Sequence, residues 1–195
     1  MTANQIVLAL SVFIWMFTAG CVCANHIISR SEWGAHSPVL VMKSQVPIRI
    51  TVHHTGTLTK PSVSIFKKMR SLQEFSQSRS KLSNGKIKPV WSDVPYHFYV
   101  SVDGSIAAGR DTLFVGDTNT DYDPSGHISI AVEGNFETET PSVAEISSLK
   151  YLIEFLVEKY DLNPNLIGVH SDFAHTACPG KNLVEEVRRI ADGIE

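Results

Sequence analysis

Ile48-Arg49-Ile50-Thr51-Val52-His53-His54 and, far downstream, Leu166-Ile167-Gly168-Val169-His170 are the stretches on which the fold turns. Each is short, apolar and largely β-branched, which suits a pleated, buried strand. Each also runs into histidine, so two strand ends would present imidazoles. Between them, Phe66, Met69, Leu72 or Gln73 and Phe75 recur at helical spacing and predict a helix over residues 63–77. Residues 79–91 read as a polar loop turning at Ser83-Asn84-Gly85. Residues 97–102 and 105–108 flank Asp103-Gly104, the strongest hairpin signal in the chain, and residues 128–132 predict a further strand. Ser142 and Glu145 form a capping box ahead of Val143, Ile146, Leu149, Leu152, Ile153 and Leu156, a helix running to about Tyr160. Asn182 and Glu185 fit another helix start, with Leu183, Val187, Ile190 and Ile194 on one face. The order strand, helix, hairpin, strand, helix, strand, helix predicts an α/β fold: a single mixed domain with a central β-sheet flanked by helices.

Composition agrees with one globular unit. The 195 residues are 43% hydrophobic and 19% charged, with a formal net charge of −3 and no block of like charges. Nucleic acid is excluded as a partner on that balance, because phosphate backbones demand a concentrated basic face. A neutral or mixed-charge polymer suits it better. Residues 6–17 are apolar except for Ser11 and have the length of a signal-peptide core, with Val22-Cys23-Ala24 supplying the small residues of a cleavage site. The expected division is a signal peptide over 1–24 and a folded domain over 25–195, placed outside the cytoplasm. Two other readings stay open: Thr18-Ala19-Gly20-Cys21 resembles a lipobox, which would anchor the chain through a lipid on Cys21, and the apolar run could remain as an uncleaved anchor.

The cysteines sharpen the chemistry. Cys21 and Cys23 fall in or beside the leader, so the domain keeps Cys178 alone, a reactive thiol, a metal ligand or a small buried hydrophobe. His53-His54 close the first strand, His170 the last, and Cys178 follows in a loop before the final helix. Neighbouring strand ends bring such residues to one rim of a sheet. Two imidazoles and a thiolate make a three-ligand zinc set with a fourth position open to water. Spacing alone leaves open which of His53 and His54 takes part, and leaves a structural role open for any strand-end histidine.

Five blocks in order carry a resemblance that covers nearly the whole domain. They are Ile28-Ser29-Arg30-Ser31-Glu32-Trp33-Gly34-Ala35, Val52-His53-His54-Thr55, Asp93-Val94-Pro95-Tyr96-His97-Phe98, Ala108-Gly109-Arg110-Asp111 with residues 128–136, and Cys178-Pro179-Gly180-Lys181. With these the chain resembles the peptidoglycan recognition protein and type 2 N-acetylmuramoyl-L-alanine amidase family, phage T7-type lysozyme amidases included. The resemblance implies Zn2+ held by His53, His170 and Cys178 at one rim of the sheet, with His54 outside the set. It implies peptidoglycan or muropeptides as the partner and no stable protein partner. Cys178 stands where recognition-only members commonly carry serine, a poor ligand because its hydroxyl stays protonated. Tyr96 matches the family's catalytic tyrosine. With a phenol pKa of about 10 it suits donating to an oxyanion or orienting water better than acting as a base. Thr176 matches the position of a catalytic lysine in phage relatives and of threonine in many recognition proteins. By position alone, Tyr96 could simply pack on the core and Thr176 simply serve its own backbone.

The implied activity is zinc-dependent hydrolysis of the amide between N-acetylmuramic acid and L-alanine. No HExxH helix is present, so a zincin layout is absent. The chain departs from the family after Gly116, where Asp117-Thr118-Asn119 replaces a histidine-containing stretch and puts part of the substrate wall in question. A cysteine pair that often follows the HHT block is also missing. The competing readings are a recognition protein that binds without cutting, a thiol hydrolase using Cys178 with His170, and a structural envelope protein.

Overall fold

A computed structural model describes residues 26–82 and 85–194. The expected leader, with Cys21 and Cys23, and the turn residues Ser83 and Asn84 lie outside the described residues. The chain forms β1 (Ile27–Ile28), β2 (Arg49–His54), α1 (Ile65–Ser76), β3 (Ser80–Lys81), β4 (Ile87–Lys88), β5 (Phe98–Val100) and β6 (Ile106–Ala108). It continues through β7 (His127–Val132), α2 (Val143–Tyr160), β8 (Ile167–Val169) and α3 (Lys181–Asp192). Six strands make one mixed sheet in the order β1-β6-β5-β7-β2-β8, while β3 and β4 form a separate antiparallel pair. The β5–β6 pairing is antiparallel, as Asp103-Gly104 predicts; β2 is parallel to both of its neighbours, β7 and β8. Among the described residues, no helix is long and apolar enough to cross a membrane.

The pleat sorts side chains into two cores. Ile50, Val52, Ile130, Val132 and Val169 point to the side covered by α2 and α3, where Leu149, Leu152, Leu156, Leu183 and Val187 meet them. Tyr99 and Ala131 point to the other side and pack with Trp33, Ile65, Met69 and Val94, under α1. Burying each large aliphatic or aromatic side chain contributes about 1.5–3 kcal/mol. The α2 capping box forms as its sequence predicts, with Ser142 Oγ accepting from Glu145 N and Glu145 accepting from Ser142 N.

Three local readings change. The first strand begins one residue late, because Ile48 is half exposed (51%), and it runs on through both histidines. The start of α3 is Lys181 after Gly180, not a cap at Asn182. Gly180 sits at φ +91°, and a Cβ there would lie 2.3 Å from the carbonyl carbon of Phe136, so glycine turns the chain directly into the helix. Asn182 is thereby freed to donate its side-chain amide to Glu139 O at 2.7 Å. The third change is the polar loop over residues 79–91, which holds β3 and β4.

Lys88 ties the two ends of that polar segment together. It is fully buried, and its ammonium donates to the carbonyls of Ser76, Ser78 and Pro89 at 2.9, 2.8 and 2.7 Å. It also lies over the rings of Phe75 and Trp91. One cation thus closes the C-terminal end of α1 and fixes Trp91. Lys88→Met keeps the apolar stem and removes the ammonium from three carbonyls, of which Ser76 O keeps the Trp91 N–H, at about 1.5–3 kcal/mol for each charged hydrogen bond. Urea unfolding of Lys88→Met should show a loss of at least about 3 kcal/mol; an unchanged midpoint would show that the ammonium is not what holds this segment.

Candidate metal centre

Adjacent residues on a strand point to opposite faces, so the two histidines at the end of β2 part company. His54 turns to the α2–α3 side, where its Nδ1 accepts from Phe136 N at 3.3 Å. His53 turns to the α1 side, its ring centre 4.6 Å from that of His170 and 5.3 Å from that of Tyr96. Val169 pairs with Val52, so the next residue, His170, leaves β8 level with His53. There it opens a short 3-10 turn, His170–Asp172, held by Asp172 accepting from Val169 N at 2.8 Å. The returning loop is tied to this turn by Ser171 N donating to Cys178 O at 3.0 Å.

The ligand atoms of His53, His170 and Cys178 all lie within 4.8 Å of one another. Bond lengths of about 2.0–2.3 Å around a tetrahedral zinc put ligand atoms roughly 3.5 Å apart, so a small inward shift completes the geometry. Each residue also has a donor to spare. His53 Nδ1 lies 3.8 Å from Cys178 Sγ, and its buried Nε2 has no hydrogen-bond partner. The Nε2 of His170 is bonded to Thr120 Oγ1 at 2.7 Å, which leaves Nδ1. The backbone N–H of His54 donates to Cys178 Sγ at 3.4 Å, so the second histidine serves the sulfur through its main chain. A thiol facing one nitrogen of a buried imidazole whose other nitrogen has no partner is a donor set that suits a metal. These three residues could hold a metal ion.

Burial sets the protonation of the cluster. It holds His53 well below the usual imidazole range, helped by the neighbouring charges of His170 and His127, and brings His170 down to about 4. It pushes the Cys178 thiol up to about 12, against the opposing effect of the His54 N–H. It raises the Tyr96 phenol too, with Cys178 and Tyr122 adding to the effect. Near pH 7 the rings are neutral with a lone pair available for a metal, and Tyr96 is a proton-bearing donor.

The cluster forms one wall of a cavity of about 200 Å³, with Tyr96, Trp91 and residues 117–120 around it. The stretch that departs from the family therefore does build part of the wall. Asp117 brings a carboxylate there, paired with the buried guanidinium of Arg110. Thr176 stands beside the cavity, off its lining, where its Oγ1 accepts from Cys178 N at 3.2 Å. Sequence reading missed Trp91 and Thr120. The first gave no signal beyond an aromatic near a polar loop; the second sits in the departing stretch, flagged without a role.

The sequence of residues 43–181 matches the N-acetylmuramoyl-L-alanine amidase family. The chain is 31% identical to peptidoglycan-recognition protein LB of Drosophila melanogaster over 171 residues, covering 85% of this chain and 69% of that protein. Its fold is similar to that of peptidoglycan recognition protein-LE solved with tracheal cytotoxin, a monomeric diaminopimelic acid-type peptidoglycan. That likeness has a TM-score of 0.69, at 28% identity over 84% of this chain and 92% of the other. It is also similar to the N-acetylmuramoyl-L-alanine amidase LysC of Clostridium intestinale, with a TM-score of 0.63, 25% identity and coverage of 87% and 99%.

The buried rings make acid the weak side of the metal-free chain. His97, His127 and His170 are each brought down to about 4, chiefly by burial, from about 6.5 in an unfolded chain. Between those values the unfolded chain binds more protons, so the stability contributed by neutral rings is full above about pH 6.5 and is lost as pH falls through about 4. The melting temperature of metal-free protein should drop steeply over that interval; a flat profile would mean that the rings protonate without cost.

Proposed function

The chain belongs to the N-acetylmuramoyl-L-alanine amidase family, and we propose that it is a zinc-dependent amidase hydrolysing the bond between N-acetylmuramic acid and L-alanine in peptidoglycan. The observation that carries this reading is the convergence of His53, His170 and Cys178, with uncommitted donor atoms, on a cavity that also holds Tyr96. When bound, zinc supplies Lewis-acid chemistry, polarising an amide carbonyl and lowering the pKa of water towards 7.

The residues divide the remaining work. His53 and His170 bring neutral rings, while Cys178 gives up its thiol proton to become an anionic ligand. Tyr96, protonated by its burial, donates its hydroxyl to the oxyanion that develops on the scissile carbonyl. Thr176 accepts from the Cys178 N–H and so orders the ligand loop, a supporting role that fits its place off the cavity lining. Trp91 and residues 117–120 wall the site, and the Arg110 guanidinium offsets the Asp117 charge that an acidic muropeptide would otherwise meet.

A thiol mechanism fits less well. A nucleophilic cysteine needs a lowered pKa and a base beside it. Here burial raises the thiol to about 12 and holds the His53 ring beside it well below the usual imidazole range. That ring is a weak base for so weak an acid, and His170 directs Nε2 to Thr120. Binding without cleavage is the other family behaviour, and the assay below separates it from hydrolysis.

Wild-type protein should release stem peptides with a free N-terminal L-alanine amine from purified sacculi, leaving the lactyl carboxylate on the glycan, and lose this activity with a zinc chelator. Binding with no release would assign a recognition role instead. Cys178→Ser should fold normally yet lose zinc and most turnover, because only the thiolate is replaced. Tyr96→Phe should keep zinc and lower turnover about a hundredfold, near 3 kcal/mol for a lost oxyanion donor; wild-type turnover would return Tyr96 to a packing role. The apolar leader and Val22-Cys23-Ala24 support export. Intact mass of secreted protein should place the new terminus at Asn25, whereas a lipid-bearing Cys21 would mark the lipobox and full-length chain in the cytoplasm would contradict export.

A further inference from the structure

One nitrogen of the His170 ring ends in a short chain of hydroxyls. Its Nε2 lies 2.7 Å from Thr120 Oγ1, which lies 2.8 Å from Thr118 Oγ1, and Thr118 Oγ1 also accepts from Thr120 N at 3.1 Å. A neutral imidazole that offers Nδ1 to a metal must carry its proton on Nε2. That proton goes to Thr120 Oγ1. A hydroxyl has one proton to give, so Thr120 passes its own on to Thr118. The backbone N–H of Thr120 fills the remaining lone pair of Thr118, whose proton is left to point away from the chain. Thr118 and Thr120 both line the cavity, in the stretch where the sequence departs from its family.

We infer that Thr120, backed by Thr118, is the positioning residue for His170: the hydroxyl pair fixes the tautomer and rotation of the ring so that Nδ1 faces His53 and Cys178. The assignment rests on the metal-centre reading above. It gives the departing stretch a task beyond walling the cavity, and leaves the outward hydroxyl of Thr118 to donate to an acceptor on the bound substrate. Removing an outer hydrogen-bond partner of a metal-ligating histidine typically weakens metal binding by about 10–100-fold.

The test is zinc affinity, measured on the folded protein by competition with a chromophoric chelator, alongside the melting temperature of the metal-free form. Thr120→Val keeps the shape and removes the hydroxyl; it should bind zinc about 10–100-fold more weakly with its metal-free melting temperature unchanged. Thr120→Ser should restore wild-type affinity, and Thr118→Val should cost less than Thr120→Val. Equal zinc affinity in wild type and Thr120→Val would overturn the assignment while leaving the metal centre standing. A drop in metal-free stability with zinc affinity unchanged would likewise overturn it, reducing Thr120 to a loop residue. Wild-type protein that takes up no zinc would remove the metal centre itself, and the assignment with it.

Discussion

The register of β2 between two parallel partners is the constraint from which the site follows. Val52 is held opposite Val169 on one side and Ile130 on the other. Both valines lie fully buried in the same apolar core. A slip of one residue would turn Ile50 and Val52 out of that core and reverse every side chain on the strand. The hydrophobic energy that fixes the core therefore also fixes where the strand ends. His53 and His170 are the next residues after a locked valine pair, and their rings come together for that reason.

Burial then gives the cluster its chemistry. The same low-polarity surroundings that stabilise the sheet penalise charge, so the imidazoles stay neutral and the thiol and phenol keep their protons. Such a cluster is poorly suited to ionic catalysis on its own and well suited to receiving a cation. The support around it is polar and local: the His54 N–H on the sulfur, Thr120 on His170, Thr176 on the Cys178 backbone. Each contact uses a group that the sheet or its loops had already brought to the rim.

Periodicity made the large elements legible. Helices α1 and α2, the β5–β6 hairpin and the strands that end in histidine follow from apolar spacing, a capping box and Asp103-Gly104. The two-residue strands β1 and β3–β4 were not legible, since so short a pairing leaves no periodic trace and depends on partners distant in sequence or on Lys88. The start of α3 was misplaced because Asn182 and Glu185 imitate a cap. The close approach of Gly180 to Phe136, which moves the start upstream, is a tertiary contact.

The sequence by itself determined which residue types stand at the strand ends, that Cys178 is the domain's lone thiol, and that the blocks match one family in order. Spacing left the adjacent histidines undivided and the family resemblance pointed to His53; tertiary structure supplies the physical reason, because strand alternation sends His53 and His54 to opposite faces and sheet pairing puts His170 and Cys178 on the face of His53. It also decided that Thr120 meets His170 and that Asp117 meets Arg110. Local sequence preference acts over a few residues, whereas these contacts join parts of the chain that only the buried sheet brings within hydrogen-bonding distance.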